Sequence, residues 1–264
     1  MSRFGQVLGL VTLLLCSTFS SARAGTVLNW EGWFTQAEKR KLTAWLELGV
    51  ASVESTVAPL PFDVHVYFHR SLGTEPVPWA NTIRADRQGV RVHVNPWFSS
   101  RSMREDWTIY HELSHLFLPY LGTSNTWFAE GFASYMQYQV MSHAGVLSEQ
   151  EVDRRYAERL DNARRYYDHD DMPFVAAAPL LAASGNYSTL YWGGAVYFFR
   201  VDGRLRASGS SLAEVVRDYV ACCRVDRLWR IDDLTADLDR IAGTSLFTDE
   251  LVQYRTRRGF PADW

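Results

Sequence analysis

His111-Glu112-Leu113-Ser114-His115 sets two imidazoles four residues apart with a carboxylate beside the first. On a helix, positions i and i+4 share a face one turn apart, so both rings can aim at one ion. Glu112 is rotated by roughly 100° from His111. That offset disfavours ligation of the same ion but lets the carboxylate border an open coordination position. Catalytic zinc is held by three protein groups, with a fourth position left for water. The ion lowers the pKa of that water to about 7, and a neighbouring carboxylate can take its proton and later hand it to a departing amine. Hydrolysis of an amide is the chemistry these residues offer.

Two histidines cannot hold such an ion alone. Trp127-Phe128-Ala129-Glu130-Gly131 begins twelve residues after His115 and supplies a carboxylate. Glu130 is the third ligand chosen, because after a short connection a second helix can run antiparallel to the first and face it. His143, Asp106 and Glu112 itself are its rivals. A third His of the His-x-x-Gly-x-x-His type is absent, since Leu118 and Leu121 stand at the relevant positions. One Zn2+ per chain is expected.

The elements that must position these groups are legible in outline. Thr35 opens an amphipathic helix, with Leu42, Trp45, Leu46, Val50, Val53 and Val57 on one stripe, stopped by Pro59 and Pro61. Residues 62–68 alternate like a strand, and 82–85 with 89–94 read as a strand pair. Ser102-x-x-Glu105 is a capping box that predicts the start of the His-bearing helix, which Pro119 closes. Thr126 is the expected N-cap of the next helix, running to about His143. Ser148-x-x-Glu151 caps a third, ending near Tyr167. Residues 168–186 read as irregular, and helices follow at about 187–206, 211–222, 232–241 and 246–257. The fold class expected is α+β: a β lobe at about 25–100, then a mostly helical lobe at about 101–264, in one domain.

The first residues read as an export signal. Arg3 precedes an apolar run from Val7 to Phe19, and Ala22-Arg23-Ala24 has the small-x-small form of a cleavage site. Cleavage after Ala24 is expected, giving a periplasmic or secreted chain with no stable membrane span. The cut removes two of the 27 basic residues and none of the 30 acids. An acidic balance of that kind offers no basic surface for nucleic acid. Cys222 and Cys223 are the cysteines left after cleavage. Adjacent cysteines are poorly placed for a relaxed disulfide, so a fold without one is expected.

The pattern resembles the gluzincin zinc metallopeptidases, the group that includes thermolysin, the aminopeptidase N type and the glycyl aminopeptidases. The resemblance rests on His111-Glu112-x-x-His115 and on the run from Trp127 to Tyr135, which is similar to the Trp-Leu-x-Glu-Gly-Phe-x-x-Tyr segment of the two aminopeptidase groups. It implies a thermolysin-like catalytic domain in which His111, His115 and Glu130 bind zinc and Glu112 is the general base. Tyr191-Trp192-Gly193-Gly194-Ala195 is similar to the segment whose Tyr donates to the oxyanion, which implies that role for Tyr191, with Tyr187 as the fallback. Val90–Val94 stands in chain order where gluzincins have the edge strand that pairs with substrate backbone.

Three departures accompany the resemblance. The interval from His115 to Glu130 is shorter than in the aminopeptidase N type, and Trp192 replaces a Lys. No Gly-x-Met-Glu-Asn segment precedes the His helix. The Glu of that segment holds a substrate's free amine, so its absence leans toward an endopeptidase, with endopeptidase and aminopeptidase both left open. His65 and His93, on strands, read as packing or surface residues, and Asp168-His169-Asp170-Asp171 as a solvated loop. The function expected is hydrolysis of a peptide or protein substrate. The alternatives are a zinc-bearing binding module without turnover, or a hydrolase of a non-protein amide such as a cell-wall peptide.

Overall fold

The computed structural model describes residues 25–261, so the export signal read at residues 1–24 lies outside the described residues. Four strands form one sheet in the order β1-β2-β4-β3: β1 (Thr26–Glu31), β2 (Val64–Arg70), β3 (Trp79–Arg84) and β4 (Gln88–Val94). β1, β2 and β4 are parallel, with Val66 level with Leu28 and Val90, and β3 runs antiparallel to β4. Parallel neighbours need a crossover, and helix α1 (Gln36–Thr56) provides it between β1 and β2. Thr35 caps α1 in a full capping box with Glu38.

The alternation read in β2 has a physical consequence. Val64, Val66 and Phe68 are buried, as are Val90, Val92 and Val94 of β4. These side chains meet α1 through contacts such as Trp45 against Phe68.

Beyond the sheet lie α2 (Ser100–Glu105), α3 (Thr108–Ser114), α4 (Thr126–His143), α5 (Glu149–Arg165), α6 (Phe174–Ala183), α7 (Tyr187–Ala207), α8 (Leu212–Cys222), α9 (Ile231–Ala242) and α10 (Leu246–Thr256). Every residue of α3 is buried. One continuous cluster of apolar side chains joins the sheet, α3 and the helices behind it. The architecture is α+β, as expected, with the His-bearing segment where sheet and helices meet.

Several local expectations need correction. The Ser102 box does not open the His helix: Ser99 caps the short α2, the chain becomes extended at Asp106, and Asp106 Oδ1 restarts α3 by accepting the Thr108 N–H at 2.9 Å. Thr126 is the first residue of α4 and not its cap, its hydroxyl donating to Thr123 O at 2.8 Å. Residues 174–183 are helical despite Pro179, because Phe174, Ala177, Ala178 and Leu181 are buried against neighbouring helices. β1 had no local signal of its own; it forms by pairing with β2 across the α1 crossover.

Two corrections bear on the cleft. The edge beside the cleft is β3, with β1 the opposite edge, and β4 is interior, because the β3 excursion folds back on the outer side of β4. Cys222 and Cys223 are joined by a disulfide. The chain leaves α8 at Cys223 (φ −140°, ψ −6°), and that turn lets the adjacent sulfurs meet. Among the described residues, no helix is long and apolar enough to cross a membrane.

Candidate metal centre

His111 and His115 come from one continuous helical segment that tightens to 3-10 geometry over His115–Phe117 before Pro119. Their rings stay adjacent, with centroids 4.8 Å apart. Glu130 comes from the second turn of α4, which packs against α3. Its Oε2 lies 3.1 Å from His111 Nε2 and 3.5 Å from His115 Nε2. One ligand atom from each of the three residues lies within 4.8 Å of the others, the only such grouping among the described residues. Tetrahedral zinc with ligand bonds near 2.0–2.1 Å separates its donor atoms by about 3.3 Å. The two measured gaps bracket that figure, so two imidazole nitrogens and a carboxylate oxygen fit one zinc ion in both chemistry and spacing.

The close approach that delivers Glu130 is written in glycine. A Cβ on Gly131 would sit 2.3 Å from the carbonyl carbon of Gly194, and one on Gly194 would sit 2.0 Å from Trp127 O. Only glycine lets the α4 and α7 backbones come this near. The same approach brings Tyr191, three residues before Gly194, to the cluster. Its ring lies 6.1 Å from that of His111 at an angle of 23°.

Around the donors, a set of partners orients each group. His111 Nδ1 pairs with Gln137 Oε1 at 2.9 Å, which assigns the proton to Nδ1 and leaves Nε2 facing Glu130. Thr82, on the edge strand, donates its hydroxyl to Glu112 Oε2 at 2.8 Å. Arg84, two residues on, donates to Leu118 O at 2.9 Å and to His115 O, tying the end of the His segment to β3. Gln137 sits seven residues after Glu130, two turns along one helix face, which is the one sequence signal that could have found it. Thr82 and Arg84 carried none, because their partners are 30 or more residues away.

Burial and charge act together here. Burial opposes ionisation of Glu130, but the two imidazoles overcome it and hold the carboxyl well below the usual carboxylate range. Burial likewise opposes charge on His111, yet Glu130 raises its pKa. Burial first, and then the Glu130 and Glu112 carboxylates, push the Tyr191 phenol well above its ordinary value. Arg84 is brought down to about 10 by burial and by Arg224.

These groups open onto a cleft of about 690 Å³ between β3, α3, the start of α4 and the start of α7. His111, Glu112, His115, Glu130, Tyr187 and Tyr191 all line it. The other ligand candidates lie elsewhere: Asp106 caps α3, and His143, at the end of α4, borders a different hollow. His93 stacks on His69 in the sheet, and His65 is on the same strand as His69.

Comparison with known proteins points one way. The family model of the M61 glycyl aminopeptidases matches residues 117–179, under half of the chain. No curated protein sequence matches. Among solved structures, a point mutant of a two-domain M1 zinc metallopeptidase bound to L-arginine superposes with a TM-score of 0.54 at 12% identity, over 88% of this chain and 48% of that one. A mutant M1 zinc metallopeptidase from Deinococcus radiodurans, bound to a Tyr-Ser-Ala substrate, gives 0.52 at 14% identity, over 88% and 49%. The chain thus spans about half the length of the structures it resembles. Motif, matched segment and fold converge: the chain has the fold of these M1 zinc metallopeptidases, a segment similar to the M61 glycyl aminopeptidases, and a His111-His115-Glu130 cluster that fits one zinc ion.

Proposed function

We propose that this chain is an exported peptidase that hydrolyses peptide bonds, with His111, His115 and Glu130 holding zinc, Glu112 as general base and Tyr191 as donor to the oxyanion. The observation that carries the reading is the convergence of three metal donors, a tethered carboxylate and a phenol on one cleft bordered by a free strand edge. When bound, zinc supplies Lewis acidity, polarising a carbonyl and lowering the pKa of water toward neutrality.

Glu112 does the proton work. Thr82 holds its Oε2, which leaves Oε1 to accept a proton from the attacking water and return it to the departing amine. Tyr191 remains protonated at neutral pH, so its hydroxyl is a donor when negative charge develops on the scissile oxygen. The outer edge of β3 presents unpaired backbone groups to the cleft, and an extended peptide can pair with them whatever its side chains. The apolar run at residues 7–19, ahead of Ala22-Arg23-Ala24, supports export.

The test is metal content and cleavage of a mixed peptide library by the mature chain, beside Glu112→Gln and Glu130→Gln. The expected outcome is one zinc per chain, cleavage lost with zinc kept in Glu112→Gln, and weakened zinc in Glu130→Gln. A wild-type chain that holds no zinc overturns the reading. Zinc retained without any cleavage replaces it with a binding module.

A further inference from the structure

Beside one end of the cleft, packed on the lining residue Tyr120, stands a cation that the proposed hydrolysis does not use. Tyr120, which lines the cleft, forms a parallel bridge with Arg227. Its N–H donates to Asp226 O at 2.9 Å, and its carbonyl accepts from Leu228 N–H at 3.0 Å. The Arg227 guanidinium stands 5.0 Å from the centroid of the Tyr120 ring and 5.0 Å from that of Trp229. It is clamped against two aromatic rings, so much of its rotamer freedom is already spent before a ligand arrives. Such packing occupies the flat surface of the guanidinium and leaves its N–H edge outward. Arg227 is exposed, and no hydrogen bond or ion pair joins this guanidinium to another described residue.

The segment carrying it is firmly rooted. Arg224 donates from Nε to Leu116 O at 3.0 Å and from Nη2 to Gln88 Oε1 at 2.6 Å, and it pairs with Asp226 at 3.2 Å. Arg227 is therefore held on a rigid base next to the last turn of the His segment, and Arg84 adds a second positive charge to the same end. Arginine in a fixed plane matches the fork of a carboxylate, with two parallel N–H···O bonds.

We propose that Arg227, clamped between Tyr120 and Trp229, is a substrate-binding residue that takes a carboxylate of the peptide in the cleft. The carboxylate belongs either to an acidic side chain or to the chain terminus. This assignment rests on the peptidase reading above for the identity of the ligand as a peptide. It makes the enzyme selective for peptides with negative charge to one side of the scissile bond.

The experiment uses two sets of matched peptides: Glu against Gln at successive positions, and free carboxylate against amide at the C-terminus. kcat and KM are measured for wild type, Arg227→Gln, Arg227→Lys and Trp229→Ala. Dissociation constants for the same peptides are measured on zinc-loaded Glu112→Gln, with and without Arg227→Gln. Wild type is expected to prefer the charged member of one set by about tenfold, chiefly in KM. Arg227→Gln brings that ratio near one, Arg227→Lys restores part of it, and Trp229→Ala falls between. The set that responds identifies the source of the carboxylate. Equal ratios in wild type and Arg227→Gln overturn the proposal. If no peptide is cleaved but the charge preference in binding is present and is lost with Arg227→Gln, the peptidase reading falls and the assignment of Arg227 stands.

Discussion

Gly131 of α4 and Gly194 of α7 face each other so closely that a Cβ on the first would sit 2.3 Å from the carbonyl carbon of the second. This contact sets the distance between the element that carries Glu130 and the element that carries Tyr191. Both glycines stand within the segments that resemble gluzincin motifs, beside the chemical residues, and their role there is to remove bulk.

Gly194→Ala therefore forces α4 and α7 apart. Overpacking of this kind costs about 1–3 kcal/mol, and the loss should appear in thermal unfolding together with weaker zinc binding. Gly203→Ala is the control on the same helix, because nothing lies within 4 Å of its added Cβ. It should leave stability equal or slightly raised. Equal effects at the two positions would show that the helix contact is not what matters.

Gln137→Leu removes the acceptor that fixes the proton of His111 on Nδ1. Zinc affinity should fall by roughly 10–100-fold, read by competition with a chelator, while the circular dichroism spectrum is retained. Unchanged affinity would mean that packing alone orients the ring.

Arg84→Met leaves the carbonyls of His115 and Leu118 without their partner. A buried acceptor stripped of its donor costs about 1–3 kcal/mol, so denaturant unfolding should show a loss of that size. Zinc affinity should drop as well, since His115 sits at the freed end.

Glu38 offers a pH signature far from the metal. Burial opposes its charge, but the bonds from Arg70 at 2.6 Å and from Thr35 prevail and hold its pKa below the ordinary value. A depressed carboxyl contributes stability above the ordinary carboxylate pKa, and that contribution is lost as pH falls through its folded value. Glu38→Gln should be less stable than wild type by about 1 kcal/mol at neutral pH. The two unfolding curves should converge in the acid range, and a gap that persists there would contradict the assignment.

The sequence by itself determined the pairing of the two histidines and most of the helices. Four-residue spacing on a helix is enough to pair His111 with His115, and caps such as Thr35 and Ser148 mark helix starts through bonds three residues away. These are local relationships, fixed by helix geometry. What only the tertiary structure decided is non-local. β3 became the edge beside the cleft because its excursion folds outside β4, and β1 exists because β2 pairs with it across a helix. Thr82 and Arg84 reached Glu112 and His115 only once the strand lay against α3. The break at Asp106 and the bond between Cys222 and Cys223 were decided by competition among local conformations that the residue types left open. Glu130 shows the boundary between the two. Its residue type and position nominated it as a ligand beside three rivals. The glycine contact between α4 and α7, together with the packing of α4 on α3, then placed its oxygen within 3.5 Å of both imidazoles.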